Sequence, residues 1–154
     1  MNPEDLVTFR ELEELKYRYL RSLDTKDWTL FAECFTPDAT ASYGANLEFS
    51  DRDGIVAFMT ENLGPTMITV HQVHHPELTV DGDTATAVWS LSDRVIMTEH
   101  RLLLDGTSFY RDTYVRDSQG VWRISHTGYE RVYEQMVSMD DLPSFKLTAN
   151  RFAP

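Results

Sequence analysis

The protein has 154 residues, of which 42% are hydrophobic and 12% aromatic, enough for one domain with a substantial core. Its formal net charge is -11, from 25 acidic and 14 basic residues. A field of this sign repels phosphate backbones and anionic lipid surfaces, so we expect neither a nucleic-acid nor a membrane partner. The one cysteine, Cys34, excludes an intrachain disulfide. We expect a cytoplasmic protein, because the start MNPEDL lacks the features of a signal peptide.

Three amphipathic helices are predicted in the first part of the chain. Asn2 is the predicted N-cap of the first helix. The apolar stripe of this helix recurs at spacings of three and four residues: Leu6, Phe9, Leu12, Leu15, Tyr19 and Leu23. The second helix begins near Trp28 and is predicted to end at Pro37. A short strand at residues 40–43 then leads to the third helix, at residues 51–62.

After Met67 the pattern changes to long segments rich in Val, Thr, Ile and aromatic residues, which favour strands at 68–80, 84–98, 108–116 and 121–133. Two polar turns join them as antiparallel hairpins, whereas residues 102–106 are predicted to be a looser connection. Helices followed by a strand meander indicate an α+β fold, with helices on one face of the sheet. Residues 1–154 are interpreted as one domain, with 134–154 a C-terminal tail over its mouth or against a partner chain.

Four segments, LDTKDWTLFAECFTPDA, TVHQVHH, VDGDTATAVW and GVWRI, resemble the SnoaL-like branch of the nuclear transport factor 2-like superfamily. The resemblance extends from about Val7 to Tyr133. It implies a cone-shaped α+β barrel, with about three N-terminal helices packed on a strongly bent, mostly antiparallel sheet that encloses a pocket. Within the superfamily the chain is similar to scytalone dehydratase, bile-acid 7α-dehydratase and hexachlorocyclohexane dehydrochlorinase. The resemblance implies that an Asp–His pair abstracts a proton to drive elimination.

The resemblance places Asp24 and His71 at the positions of that pair, and Tyr43 at a pocket tyrosine of scytalone dehydratase. Asp24 also has a structural interpretation, because a carboxylate between two helices commonly caps the second one. His71 shares its strand parity with Thr69 and Val73, and this set faces either the helices or the outside. An inward imidazole needs a partner, since a buried unpaired polar group costs about 1–3 kcal/mol, and Asp24 is the candidate.

His71, His74 and His75 form an HxxHH pattern that suggests metal ligands. Adjacent strand residues point to opposite faces, so at most two of the three converge without a bulge. No cysteine supports them, and Pro76 indicates a bend. We therefore expect a solvated turn here, and neither a metal nor a cofactor.

His126 shares its parity with Trp122 and Ile124 and is expected to face inward. It is a candidate second acid, a hydrogen-bond donor to the substrate, or a satisfied core histidine. Arg131 either pairs with a carboxylate at the mouth of the pocket or is a surface charge. Further candidates line the pocket for a flat, largely apolar ligand, or simply fill the core: Tyr19, Trp28, Phe58, Met59, Trp89 and Tyr110.

The function predicted from these residues is a cofactor-independent lyase of the dehydratase type, acting on a small, largely apolar cyclic, polyketide-like or steroid-like molecule. A double-bond isomerase and a non-catalytic ligand-binding protein are the alternatives. An epoxide hydrolase would need an Asp/Arg/Asp arrangement, of which Asp93 with Arg94 or Arg111 is a fragment. A homodimer or homotrimer is expected, because an exposed apolar sheet face is an aggregation hazard in a monomer.

Overall fold

The computed structural model describes residues 3–154, so the predicted Asn2 cap lies outside the described residues. Three α-helices, six strands and one 3₁₀ turn follow one another along this part of the chain. In chain order they are α1 Pro3–Thr25, α2 Trp28–Glu33, β1 Phe35–Tyr43, β2 Leu47–Phe49, α3 Arg52–Asn62, β3 Met67–Asp81, β4 Thr84–Met97, β5 Leu102–Arg116, β6 Trp122–Ser138 and the 3₁₀ turn Met139–Asp141.

The six strands form one sheet in the order β2-β1-β6-β5-β4-β3. Only the β1–β6 pair is parallel, and the remaining neighbours are antiparallel. The helices pack on this sheet, α1 against β3 and β6 and α3 against β1 and β2. The predicted α+β architecture and mostly antiparallel sheet are confirmed. The sheet is not closed into a complete barrel, since β2 and β3 are its free edges.

The apolar stripe of α1 forms the helical side of the core. Leu12, Leu15, Tyr19 and Leu23 are all buried, whereas Leu6 at the start of the helix is 57% exposed. Removing a leucine side chain from water contributes about 1.5–3 kcal/mol, so this stripe is what holds α1 against the sheet. The same burial fixes which face of α1 points toward β3.

Two predicted boundaries in the first half of the chain are wrong. Helix α2 ends at Glu33, and Phe35 already begins β1, so Pro37 lies inside a strand instead of ending a helix. The backbone N–H of Cys34 donates to carbonyls in the last turn of α2 and so ends the helix. The buried Phe35 ring packs against Phe31, with 5.1 Å between ring centroids. The β1–β6 register shifts between Phe35 and Thr40, an irregularity that accommodates a proline in a strand.

The second half also differs from the prediction at two places. Residues 102–106 are the first part of β5 and pair continuously with β4, so the loose connection is shorter than predicted. Arg101 makes that turn with φ 55°. Strand β6 continues to Ser138, so the tail begins later than residue 134. No helix within residues 3–154 is both long and apolar enough to span a bilayer.

The C-terminal tail returns to the link between α1 and α2. The Lys26 ammonium lies 4.7 Å from the centroid of the Phe152 ring and donates a 2.8 Å hydrogen bond to the Met67 carbonyl. Lys26 has φ 61°, which turns the chain immediately after α1. The end of the chain therefore lies beside the segment that carries Asp24 and the start of β3.

Candidate active site

The last turn of α1 and the edge strand β3 bring Asp24 and His71 together. Asp24 Oδ1 lies 2.7 Å from His71 Nδ1, and Asp24 Oδ2 accepts a 2.8 Å hydrogen bond from the His71 backbone N–H. The Thr69 hydroxyl donates to Asp24 Oδ1 at 2.8 Å. The alternative capping role for Asp24 is wrong, because Asp27 supplies the α2 cap by accepting from the Leu30 N–H.

The burial pattern of β3 shows which face His71 shares. Thr69 is only 4% exposed, whereas Val70 is 44% exposed, so the parity of Thr69 and His71 points toward the helices. His71 lines a partly open cavity of about 260 Å³. It also borders an outer groove between α1 and β3, where Asp24 reaches solvent beside Tyr17. His71 therefore borders both the cavity and the outer groove.

Most of the predicted site residues line that cavity. They come from α1, β1, α3, β5 and β6. These residues are Tyr19, Tyr43, Phe58, Met59, Tyr110 and Arg131. The cavity wall also contains residues that the sequence did not single out as ligand contacts, including Thr69, Asp93, Tyr129 and Glu134. Aromatic and aliphatic walls with a few polar groups suit a small, largely apolar ligand.

Two predicted substrate contacts lie elsewhere. Trp89 is 1% exposed, and its indole N–H donates to the Tyr114 hydroxyl at 3.0 Å in the core. Trp28 packs edge-on against Phe31, with 5.9 Å between ring centroids. Neither indole borders the cavity, so these two residues fill the core and do not line the ligand site.

His126 is also outside the cavity, which corrects its predicted role as a second acid or substrate donor. Tyr114 pairs with Ile124 and Thr113 with His126, so Ser125 is an extra residue at that point of β6. Such a bulge reverses the parity of the residues that follow it. His126 therefore sits on the outer face, where its Nδ1 lies 2.7 Å from the Thr40 hydroxyl.

Three of the tyrosines that line the cavity with His71 cluster together. The Tyr19 and Tyr43 hydroxyl oxygens are 3.0 Å apart, and the Tyr110 ring meets the Tyr19 ring edge-on at 6.2 Å. Burial raises the pKa of all three phenols, well above its usual range for Tyr19 and Tyr110. These hydroxyls consequently stay protonated near neutral pH, and one of their protons lies in the hydrogen bond between Tyr19 and Tyr43.

Arg131 is held by carboxylates at the other end of the cavity. Its guanidinium contacts both oxygens of Asp93, with Nη2 to Oδ2 at 3.0 Å, and Nη1 also donates to the Ser108 hydroxyl at 3.2 Å. Glu134 Oε2 lies 3.0 Å from Nε. Gly106 leaves room for this arrangement, since a Cβ there would lie 2.9 Å from Nη1. We call Asp93, Arg131 and Glu134 the carboxylate–arginine cage.

Neither Arg94 nor Arg111 joins Asp93 in the fragment of an Asp/Arg/Asp arrangement that the sequence suggested. Arg111 lies on the outer face of β5, 3.6 Å from Glu130, and Arg94 borders a depression outside the cavity. Strand parity explains the difference, because Arg94 follows Asp93 directly and therefore points the other way. The alternative that Arg131 pairs with a carboxylate is the one observed.

Behind the tyrosines lies a buried ion pair that the sequence analysis missed. Lys16 Nζ is 2.8 Å from Asp112 Oδ2, with both side chains 0% exposed, and 3.5 Å from the centroid of the Tyr110 ring. Thr127 and Tyr114 each donate to the Asp112 carboxylate at 2.7 Å. Burial lowers the pKa of Lys16, and Asp112 opposes that shift. The signal was present, since Lys16 falls within the apolar stripe of α1.

The family of the protein follows from a match to residues 4–128, which fit the family model for the SnoaL-like domain. The chain belongs to the SnoaL-like domain family. This confirms the resemblance to the SnoaL-like branch of the nuclear transport factor 2-like superfamily. An uncharacterized protein of Mycobacterium tuberculosis is 26% identical over 129 residues, which cover 82% of this chain and 87% of that protein.

Solved structures with the same fold are similar to this SnoaL-like domain over most of its length. A protein of Novosphingobium aromaticivorans, provisionally named a scytalone dehydratase, has a TM-score of 0.80 at 22% identity and covers 88% of this chain and 91% of its own. A hexachlorocyclohexane dehydrochlorinase, LinA type 2, has a TM-score of 0.79 at 18% identity, covering 87% and 91%. These likenesses confirm the cone-shaped fold.

The histidines beyond His71 do not form a metal centre in this SnoaL-like domain. His74 and His75 stack with ring centroids 6.2 Å apart, where the register of β3 shifts and His75 has φ 31°. Across residues 3–154, no three His, Cys, Asp or Glu side chains are grouped as metal ligands would be.

Proposed function

We propose that the protein is a cofactor-independent lyase of the dehydratase type, acting on a small, largely apolar cyclic, polyketide-like or steroid-like substrate. The observation that carries the proposal is the 2.7 Å contact between Asp24 Oδ1 and His71 Nδ1, with His71 in the cavity wall. A carboxylate on one ring nitrogen leaves the other free to accept a proton. That geometry is what a general base requires.

His71 is the proposed base, and Asp24 sets its tautomer. Because Asp24 accepts from Nδ1–H, the lone pair of the neutral ring lies on Nε2. The Asp24 carboxylate stabilises the imidazolium that forms when Nε2 takes a proton from the substrate. The hydrogen bond from the His71 backbone N–H to Asp24 Oδ2 fixes the imidazole and the carboxylate relative to each other.

Tyr43 is the proposed donor to a substrate carbonyl. Tyr43 borders the cavity, its hydroxyl is paired with that of Tyr19, and its raised pKa keeps the proton on oxygen. A hydrogen bond there stabilises the negative charge that develops on the carbonyl oxygen as the α-proton leaves. The C–H electrons then form the C=C bond, and the β-hydroxyl departs as water, with the proton that His71 holds.

The structural neighbours support this direction. Two of them carry the names of a dehydratase and a dehydrochlorinase, and both names describe eliminations. Double-bond isomerisation uses the same base and differs only in returning the proton to another carbon of the substrate. A non-catalytic binding protein would keep the cavity without needing the Asp24–His71 contact.

Epoxide hydrolysis is a second candidate, favoured by the carboxylate–arginine cage. Asp93 and Glu134 flank Arg131 in the cavity wall, and a carboxylate there can activate water for attack on an epoxide carbon, opening the ring to a diol. Variants distinguish the two candidate functions. Epoxide hydrolysis requires Asp93 and tolerates His71→Gln, whereas elimination requires His71.

The test is a screen of cyclic β-hydroxy ketones for loss of water, followed by absorbance of the conjugated product. Wild type and His126→Gln, which alters a histidine outside the cavity, are expected to convert the same compounds. His71→Gln is expected to lose about 10³-fold or more in rate, since general base catalysis and orientation are removed together. Equal rates for His71→Gln and His126→Gln would contradict the proposed base.

A further inference from the structure

The carboxylate–arginine cage has little donor capacity left for a ligand. A guanidinium has five N–H groups. Two on Nη1 are directed to Asp93 and Ser108, and one on Nη2 goes to Asp93. The Nε–H faces Glu134 Oε2 at 3.0 Å without the angle of a hydrogen bond. The Nε–H and one N–H of Nη2 are thus without a hydrogen bond, and of these two only the Nη2 N–H does not face a carboxylate.

That single donor is suited to a neutral acceptor. An arginine that binds a carboxylate or phosphate does so with two parallel N–H groups; Asp93 occupies the Nη1–Nη2 pair, and Glu134 lies against the Nε–H of the other pair. Displacing Asp93 would strand a carboxylate that is 6% exposed. A carbonyl, ether or hydroxyl oxygen needs only one hydrogen bond and displaces nothing.

The charge of the cage points the same way. Asp93 and Glu134 carry two negative charges against the one positive charge of Arg131, and all three border the cavity. An anionic group entering there meets net negative charge in a partly desolvated space, and juxtaposed like charges are strongly unfavourable. Asp93, Gly106 and Glu134 are register partners across β4, β5 and β6, so this acidic row is built into the sheet.

We infer that the cavity selects uncharged ligands over carboxylates, and that Asp93 and Glu134, by occupying and outweighing Arg131, are the residues that set this preference. The inference rests on the proposed function in taking this cavity as the substrate site. It restricts the substrate class to neutral molecules that present one carbonyl, ether or hydroxyl oxygen toward Arg131. Carboxylic acids of the same shape are excluded as substrates.

The experiment measures binding of two probes with the same ring system, 2-naphthol and 2-naphthoate, by calorimetry at pH 7. In wild type, 2-naphthol is expected to bind at least about tenfold more tightly. Glu134→Gln and Asp93→Asn are expected to tighten 2-naphthoate binding about five- to tenfold while changing 2-naphthol binding less than about twofold. Glu130→Gln, on the outer face with a side chain 71% exposed, is the matched control and should change neither.

Equal or tighter binding of 2-naphthoate by wild type would overturn the inference. An unchanged ratio of the 2-naphthoate and 2-naphthol affinities in both Glu134→Gln and Asp93→Asn would overturn it as well. Absence of binding for both probes would overturn it together with the cavity as the ligand site. Glu134 is half-exposed, so Glu134→Gln keeps the test valid if Asp93→Asn fails to fold. Binding is measured without turnover, so the preference can hold while the base assignment fails, and the reverse.

Discussion

Asp24 contacts His71 twice, through Nδ1 at 2.7 Å and through the backbone N–H at 2.8 Å. The two contacts use different carboxylate oxygens, so a helix end is tied to both the ring and the backbone of an edge strand. The double contact fixes the ring orientation and leaves Nε2 as the ring nitrogen that Asp24 does not contact. Asp24→Asn removes the negative charge of the carboxylate while keeping the shape of the side chain.

Asp24→Asn is expected to lower the rate of proton abstraction by about 10²–10⁴-fold, because an amide neither stabilises an imidazolium nor enforces the Nδ1–H tautomer. Nitrogen-15 NMR of wild type should show neutral His71 protonated on Nδ1, with Nε2 bare. Asp27→Asn is the matched control, since asparagine is also a good N-cap and Asp27 caps only α2. Retention of full activity by Asp24→Asn would leave the carboxylate with a structural role alone.

The buried Lys16–Asp112 pair predicts strong coupling in stability. Lys16→Met leaves Asp112 as an unpaired buried charge and is expected to cost about 3–5 kcal/mol in the free energy of unfolding. Lys16→Met with Asp112→Asn removes both charges and should recover a large part of that loss. Urea unfolding of both single variants and the double variant measures the coupling, and simple addition of the single effects would refute it.

Cys34 is predicted to be an unreactive thiol. Its side chain is buried in the core and donates to the Leu30 carbonyl at 3.3 Å, and burial raises the pKa of the thiol from 9.0 to about 11. The thiolate is the reactive form, so labelling by a thiol reagent at pH 8 should be slow in the folded protein and fast in denaturant. Equal labelling rates in the two states would contradict the burial.

The same thiol predicts a direction for stability against pH. Because the pKa of Cys34 is raised in the folded protein, the folded state holds this proton more tightly than the unfolded chain. Its contribution to stability is complete below about pH 9 and is lost as the pH rises toward 11. Comparing wild type with Cys34→Ala between pH 7 and 11 isolates this contribution, which should disappear at the alkaline end.

Gly106→Ala is predicted to disturb the cage. A Cβ there would lie 2.6 Å from the Tyr133 carbonyl oxygen and 2.9 Å from Arg131 Nη1, distances that require a shift of backbone and guanidinium. We expect a loss of about 1–3 kcal/mol in unfolding free energy, as for an overpacked core position. Gly64→Ala is the matched control, since a Cβ there has nothing within 4 Å. Similar melting temperatures for both variants would contradict the close packing at residue 106.

The sequence allowed the fold class and the shared strand parity of Thr69 and His71 to be predicted, because both depend on patterns that run along the chain, whereas the side that this set faces was left open. The apolar stripe of α1 and the parity of Thr69 and His71 are local properties, and both match the structure. The prediction that His126 faces inward is wrong for a physical reason. Ser125 is an extra residue opposite the Thr113–Tyr114 step, and nothing in the sequence marks such a bulge.

The polar networks were predictable only in part. Lys16 lies in the apolar stripe of α1, which could have indicated burial, but its partner Asp112 is 96 residues later and only the fold brings them together. The cage depends on Arg131 crossing Gly106 to reach Asp93, a contact between non-adjacent strands. Long-range pairing of charges therefore needed the structure.

The most direct test of the proposed base is α-proton exchange of a cyclic ketone in D₂O, followed by proton NMR. This measurement isolates proton abstraction from the departure of any leaving group. We predict that wild type and His126→Gln accelerate loss of the α-proton signal about equally, and that His71→Gln reduces the rate to near that of buffer. Acceleration by His71→Gln equal to that of wild type would contradict the account.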